Sequence, residues 1–349
     1  RTPLLLEFAP RYLSPCERRT LTDYAAARGV GLQHSGLTPD GGGGLIFDDP
    51  TAANYRCGQY DPFYAWQGRV SLGWEGTEWG GHTGPQATLW RLYNGLSKHP
   101  DFILLDDNQI ADPVRRDMIL FARDYLGRSI DDTPGVWAAL RETEYDWYPQ
   151  YGNFEFWLYQ DHAAPGGRTV PLWRVGDAPE GRYTRRTDEA TGNPYVAFDI
   201  DDAYLYEVNG PVTLTVTYLD RGLDSWTLEY DGDLNPGQAA PSVRKTDTGA
   251  WQRASFVLTD AYFANRQPGG QRAGTDFRIA SGGDGDEIIH FVHVTGGERP
   301  APRMTATPGL GGAESETPTL TPTATATATS TPTPTATPVV SLPHPTLDP

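Results

Sequence analysis

Gly68-Arg-Val-Ser-Leu-Gly-Trp-Glu-Gly-Thr-Glu-Trp79 decides how the first half of the chain is read. It opens as a buried strand, with Val70 and Leu72 apolar. It ends in two carboxylates, Glu75 and Glu78, set between two indoles, Trp74 and Trp79. Glycines at 73, 76, 80 and 81 allow a sharp turn and a close backbone approach to a ligand. Acids can move protons and flat rings can stack on a sugar face, so this strand end suits carbohydrate chemistry. The same residues also read as surface acids beside packed tryptophans.

Outward from this stretch, short apolar runs alternate with helical patterns. Leu4–Leu6 reads as a strand ending at Glu7, and Val30–Gln33 as a strand finishing at His34. Ser14-Pro15-Cys16-Glu17 opens a helix through a capping box with Pro in the first turn. Residues 36–66 form a long loop rich in Gly, Asp and Tyr that ends at Trp66. Thr83-Gly84-Pro85-Gln86 starts a helix with Leu89, Leu92, Tyr93 and Leu96 on one side. Phe102–Leu105 is a strand ending at Asp106, Asp112-Pro113 caps another helix, and Val136–Leu140 is a fifth strand.

Strand, loop, capped helix, strand is the rhythm of a parallel sheet. The strands end in Glu7, His34, Glu75, Asp106 and Glu142, and in a (β/α)8 barrel that end holds the active site. Five strands do not close a barrel, so they are expected to be its last five, with about three preceding Arg1. A doubly wound open sheet is the alternative, but no glycine-rich phosphate fingerprint follows any of these strands.

From Asn153 the pattern changes. Phe154–Tyr159, Thr169–Val175, Tyr195–Ile200, Val212–Tyr218, Trp226–Tyr230, Trp251–Leu258, Asp276–Ala280 and Ile288–Val294 alternate and are rich in β-branched or aromatic residues. Turn residues separate them, which predicts an antiparallel, jelly-roll-like sandwich. Beyond about residue 299 the chain is Pro/Thr-rich and too poor in apolar residues for a core, which predicts a disordered tail of the kind exported chains carry. The expected organisation is a partial (β/α)8 barrel over 1–152, a carbohydrate-binding-like β-sandwich over 153–298, and a tail over 299–349.

The totals narrow the partners. A net charge of −17 argues against nucleic acid and anionic membrane surfaces, both of which need a basic patch. No apolar run reaches the ~18 residues of a membrane span. The two cysteines, Cys16 and Cys57, read either as one disulfide of an exported protein or as two buried thiols. No Cys/His metal spacing and no Gly-x-Ser-x-Gly turn occurs. No cofactor is expected; Asp199-Ile-Asp-Asp202 and Asp284-Gly-Asp-Glu287 read either as oxygen ligands of a structural Ca²⁺ or as turn-forming rim acids.

With these pieces in place, the chain resembles secreted bacterial glycoside-hydrolase-like proteins in which a (β/α)8 barrel precedes a β-sandwich and a Thr/Pro tail. The residues carrying the resemblance are Gly73-Trp-Glu-Gly-Thr-Glu-Trp79, Asp132-Thr-Pro-Gly-Val-Trp137, Arg186-Thr-Asp-Glu-Ala-Thr-Gly-Asn-Pro194, Val216-Thr-Tyr-Leu-Asp220 and Asp284-Gly-Asp-Glu-Ile-Ile-His-Phe291. The resemblance implies an extracellular or cell-surface carbohydrate-active protein. Where the large retaining clan of barrel glycosidases has Asn-Glu after strand four and Glu after strand seven, this chain has Leu6-Glu7 and Leu105-Asp106.

Glycoside hydrolysis needs two carboxyl groups, one a protonated acid and one a nucleophile or base. Glu75, between apolar and indole neighbours, is the expected acid, because desolvation raises a carboxyl pKa. Asp106 and Glu7 are the expected partners. Trp66, Trp74 and Trp79 are expected stacking platforms, with Glu78 and His34 as further substrate contacts. The alternative is a glycan-binding or adhesion protein without catalysis, its ligand still a carbohydrate.

Overall fold

A computed structural model describes residues 5–8, 27–28, 31–34, 72–75, 84–97, 99–141, 153–176 and 181–298. Strands β1 (Leu5–Phe8), β2 (Gly31–His34), β3 (Leu72–Glu75) and β4 (Phe102–Leu104) form one sheet in sequence order. Every pairing in it is parallel. Helices α1 (Pro85–Leu96), α2 (Asp107–Ala111) and α3 (Pro113–Tyr125) follow the later strands. Gly84 is the N-cap of α1 and Pro85 its first helical residue, so this helix starts without a side-chain cap. In α3 Asp112 does the capping, accepting from Val114 N at 2.8 Å. Of the expected helix from Ser14, only Ala27 and Arg28 are described, as a turn; the rest of it, the tail from 299 and both cysteines lie outside the described residues.

The fifth expected barrel strand is corrected. β5 (Val136–Ala139) pairs antiparallel with the last strand of the sandwich, β19 (Ile288–Glu298), in the register Val136↔Val294 to Ala139↔Phe291. A closed (β/α)8 barrel is therefore not what the described residues form. β5 belongs with the sandwich strands although it precedes residue 153. Its uniformly apolar sequence misled because both of its faces are covered, as in a barrel strand. Val136, Ala138 and Leu140 face the sandwich interior, while Trp137 and Ala139 face the helices.

The sandwich is as expected in kind, with more strands than the sequence suggested. β6 (Phe154–Phe156), β7 (Leu158–Gln160), β8 (Val170–Val175), β9 (Arg182–Arg186), β10 (Tyr195–Ile200) and β11 (Asn209–Leu219) come first. They are followed by β12 (Ser225–Tyr230), β13 (Gln238–Ala239), β14 (Val243–Arg244) and β15 (Trp251–Leu258), then β16 (Gln267–Pro268), β17 (Gly274–Thr275) and β18 (Phe277–Ala280). One sheet runs β15-β11-β19-β5-β6, with β9 also on β19 and β8 on β9. The other runs β13-β12-β18-β10-β7, with β14 on β12. Between them Val196, Phe198, Ile200, Leu214, Val216, Trp226, Leu228, Phe277, Ile279, Val292 and Val294 form the main core.

The run Phe154–Tyr159, expected as one strand, is two strands in different sheets. Trp157 separates them with φ 53, a left-handed conformation that costs a bulky residue roughly 1–3 kcal/mol. Its ring packs on His99 with centroids 4.1 Å apart, and its carbonyl accepts from Asp201 N at 3.0 Å. Packing thus overrides local preference and lets the chain change sheets within one residue.

Outside the first sheet lies a helical layer. Trp90, Leu92, Tyr93 and Leu96 of α1 and Ala122 and Tyr125 of α3 pack on Trp137, Ala139, Phe154, Phe156 and Tyr183. The register of β19 slips by one residue between Thr217↔Phe291 and Tyr218↔Ile289. This bulge leaves Ile289 and Val292 in the inner core. Its two intervening residues, His290 and Phe291, meet aromatic rings instead. Phe291 stacks on Tyr93 at 5.1 Å, and His290 lies 5.5 Å from Trp90 and from Trp251.

Two imidazoles are held neutral in this layer. His290 Nδ1 meets Tyr183 O at 3.1 Å, and His293 Nε2 meets the Tyr125 hydroxyl at 2.6 Å. Burial pushes His290 down to about 3, with Arg182 and Arg253 adding repulsion. Burial and Arg253 push His293 down to about 4. Both folded values lie below the ordinary histidine value, so between pH 6.5 and about 4 the unfolded chain binds protons the folded chain refuses. This contribution is complete above pH 6.5 and is lost as pH falls, at roughly 1 kcal/mol per pH unit for each imidazole. Denaturant unfolding at stepped pH should show the His290→Gln variant losing less stability than wild type over that window. Trp137→Ala should cost about 3–5 kcal/mol at any pH, because it empties the centre of the layer.

Candidate functional site

The parallel sheet aligns part of the site expected from sequence. Phe8 pairs with His34, His34 with Trp74, and Trp74 with Ile103. Glu75 pairs with Leu104 in the next row, while Glu7 lies two rows before Glu75, opposite Gln33, which pairs with Gly73. The backbone positions of Glu7, His34, Trp74 and Glu75 thus fall toward the C-terminal ends of three adjacent parallel strands. Asp106 lies just past β4 as the N-cap of α2. Its backbone N donates to Gln109 Oε1 at 2.8 Å, and its carboxylate accepts from the Gln109 backbone in a capping box. Trp66, Glu78 and Trp79 lie outside the described residues.

The sandwich carries a second assembly. On β10, Val196, Phe198 and Ile200 point into the core. Strand alternation therefore puts Tyr195, Ala197 and Asp199 on the outer face of that sheet. The register adds Tyr159 opposite Asp199, Arg278 opposite Ala197, Ala280 opposite Tyr195 and Glu229 opposite Arg278. The result is a floor of small residues, Ala197 and Ala280, flanked by two tyrosines and two ion pairs. Arg278 Nε donates to Glu229 Oε2 at 2.6 Å, and its guanidinium lies 3.8 Å from the Tyr195 ring centroid. Arg272 lies 3.7 Å from the Tyr159 ring centroid and 3.4 Å from Asp199 Oδ2.

The placement of Arg272 follows from a buried anchor. Asp161 accepts backbone N–H bonds from Gly270, Gln271 and Arg272 at 2.7, 2.9 and 3.0 Å. A side chain at Gly270 would collide with the Ala163 carbonyl, so glycine is required for this approach. Burial works to raise the Asp161 pKa, but these N–H groups outweigh it and hold the carboxyl below its ordinary value. Asp199 goes the other way: burial pushes it up to about 7, with Arg272 opposing and Asp202, Asp201 and Asp161 reinforcing. The Tyr159 hydroxyl donates to Asp201 Oδ2 at 3.2 Å, tying that ring to the same rim.

The acids set aside for Ca²⁺ have separate employments. Asp201 accepts from Ala203 N and Asp202 from Asn265 Nδ2, at 3.0 and 2.7 Å. Asp284 accepts from Ser225 N at 3.1 Å, and Asp286 pairs with Arg186 at 2.8 Å. Among the described residues, no group of three or more His, Cys, Asp or Glu side chains is placed to hold a metal ion. Trp226, Tyr230 and Trp251 are strand aromatics whose sequence fits either core or glycan contact; Trp226 and Tyr230 are buried in the core, and Trp251 is half-buried. Sequence reasoning missed Tyr159, Tyr195, Arg272 and Arg278. The available signal was the out-facing set at 195, 197 and 199, which alternates with the apolar residues of β10.

No family model matches the chain, and no curated protein matches it. Solved structures to which it is similar include the CBM35 module of Cellvibrio japonicus Abf62, at 19% identity and TM-score 0.24, covering 41% of this chain and 95% of that one. A second is the CBM22-1–GH10 portion of Clostridium thermocellum xylanase 10B in complex with xylohexaose, at 11% identity and TM-score 0.28, covering 46% of this chain and 28% of that one. A third is the CBM6 module of Cellvibrio mixtus lichenase 5A with cellotriose, at 11% identity and TM-score 0.22, covering 40% and 95%.

Two variants separate scaffold from site. Asp106→Ala should lower stability by about 1 kcal/mol through loss of its cap, read as a lower midpoint in denaturant. Asp161→Ala should speed hydrogen exchange at the amides of Gly270, Gln271 and Arg272, which lose their common acceptor.

Proposed function

We propose that the protein is an exported glycan-binding protein whose ligand lies along the outer face of the β13-β12-β18-β10-β7 sheet. The observation that carries this reading is the pair of guanidinium-stacked tyrosines, Tyr159 and Tyr195, beside Asp199 and Glu229 on one sheet face. Stacked planes present flat, partly apolar surface, and charged forks donate to or accept from vicinal hydroxyls. The net charge of −17 favours a neutral glycan over a polyanion. The Thr/Pro-rich tail supports an extracellular or surface location. Binding of neutral oligosaccharides, measured by array and calorimetry, should weaken at least about tenfold in Tyr159→Ala and in Arg272→Ala, equivalent to about 1.4 kcal/mol. Affinity should rise as pH passes upward through about 7, where Asp199 becomes a full acceptor, and Asp199→Asn should flatten that dependence. Unchanged affinity in all three variants would remove this face from the reading.

A glycoside hydrolase is the second reading. It is favoured by the parallel register that brings the ends of β1 and β3, with Glu7 and Glu75, to one edge of a sheet. In this reading Glu75 is the general acid, with Glu7 or Asp106 as its partner, and Trp74 and Trp79 hold the sugar. Product release from a glycan panel by wild type but not by Glu75→Gln supports it. Equal turnover in both removes Glu75 from the mechanism.

A further inference from the structure

Lys98 and Lys245 are the chain's two lysines; its other basic residues are all arginine. Lys245 is buried, with its side chain 1% exposed. Its Nζ lies 2.9 Å from Asp224 Oδ1, 2.9 Å from Glu287 Oε2 and 3.1 Å from the Asp286 carbonyl oxygen. Glu287 is 0% exposed and Asp224 10%. The approach is built into the sheet. Ser225 pairs with Arg244 and Trp226 with Val243, so Asp224 and Lys245 occupy the next cross-strand position. Lys245 N also donates to Asp224 O at 2.9 Å. A side chain at Gly285 would collide with the Asp224 carboxyl, so the close approach there requires glycine.

As a plain ion pair this arrangement is a weak source of stability, because the cost of taking charges out of water offsets much of their attraction. An arginine would satisfy both acids more fully, but a guanidinium stays protonated and is no nucleophile. A lysine here supplies something an arginine lacks, an amine that can react.

We propose that Lys245 and Asp224 form an intramolecular amide cross-link, with Glu287 carrying the protons. The amine nitrogen bonds to Asp224 Cγ, one carboxyl C–O bond breaks, and one water leaves. Lys245 gives up two protons over the reaction. Glu287 takes each in turn and returns it to the departing Asp224 oxygen, ending as it began. Nothing is oxidised or reduced. Contact at 2.9 Å in a water-poor site supplies the proximity that makes such condensations competitive, equivalent to effective molarities of about 10⁵–10⁸ M. Burial pushes Glu287 up to about 7, which suits a proton carrier. Burial disfavours the Lys245 ammonium, but hydrogen bonds to Asp224 and Glu287 outweigh this and hold it above the ordinary lysine value.

Intact-mass measurement on the full chain tests this. Wild type should weigh one water less than its sequence. Peptide mapping should show the peptides of Asp224 and Lys245 joined, with no tryptic cleavage after Lys245. Lys245→Arg and Glu287→Gln should each show the full mass of their own sequence. A wild-type chain at full mass overturns the proposal, whatever the variants do. A bond to Glu287 instead of Asp224 overturns the assignment of the acyl partner, and a cross-link that persists in Glu287→Gln overturns the proton carrier.

Discussion

Strand β19 has to be covered on both faces, and the rest of the sandwich answers that requirement. Ile289, Val292 and Val294 take the second sheet on one side, while the bulge at His290 directs two consecutive aromatic side chains to the other. A regular strand would have sent one of them inward. The bulge thus makes room for a helical layer, and Trp137 on the adjacent β5 supplies its centre by stacking on both Phe156 and Phe291. This explains why β5 sits beside β19. A strand apolar on both faces needs two covers, and this is where the described chain provides both.

The opposite sheet shows how the same polymer makes a surface. Val196, Phe198 and Ile200 of β10 take the core, so Tyr195 and Asp199 fall on the opposite face, where Asp199 is itself buried beside Arg272. Loop carboxylates then do the positioning. Asp161 holds the 270–272 segment, and Asp231 and Asp276 hold the neighbouring turns through backbone N–H bonds from Ala264, Ile200 and Asn265. Among the acids that read in sequence as rim or cation ligands, Asp201, Asp202 and Asp284 likewise hold turns through hydrogen bonds.

Legibility in the sequence tracked the range of the interactions. The strands at Leu5–Phe8, Leu72–Glu75 and Tyr195–Ile200, and the Asp112 cap, could be read because each depends on residues a few positions apart. The parallel order of the first four strands also followed from their rhythm. The partner of Val136–Ala139 could not be read, since an all-apolar run says only that both faces are buried. The corner at Trp157 was hidden because a left-handed tryptophan contradicts local preference and exists through tertiary packing. At the site, Asp199 stood out by charge. Arg272 did not, because its distance from Tyr159 in sequence is closed only by the Asp161 anchor.

One geometric fact about β19 bears on how the protein would take tension. It is the last described strand, the Thr/Pro-rich segment continues directly from it in sequence, and it is hydrogen-bonded along much of its length to β11 and β5. A pull transmitted through that segment would enter at a strand paired with three others, β11, β5 and β9. It would act along the ladder and have to slide many bonds past one another together, where a peripheral strand would peel away bond by bond.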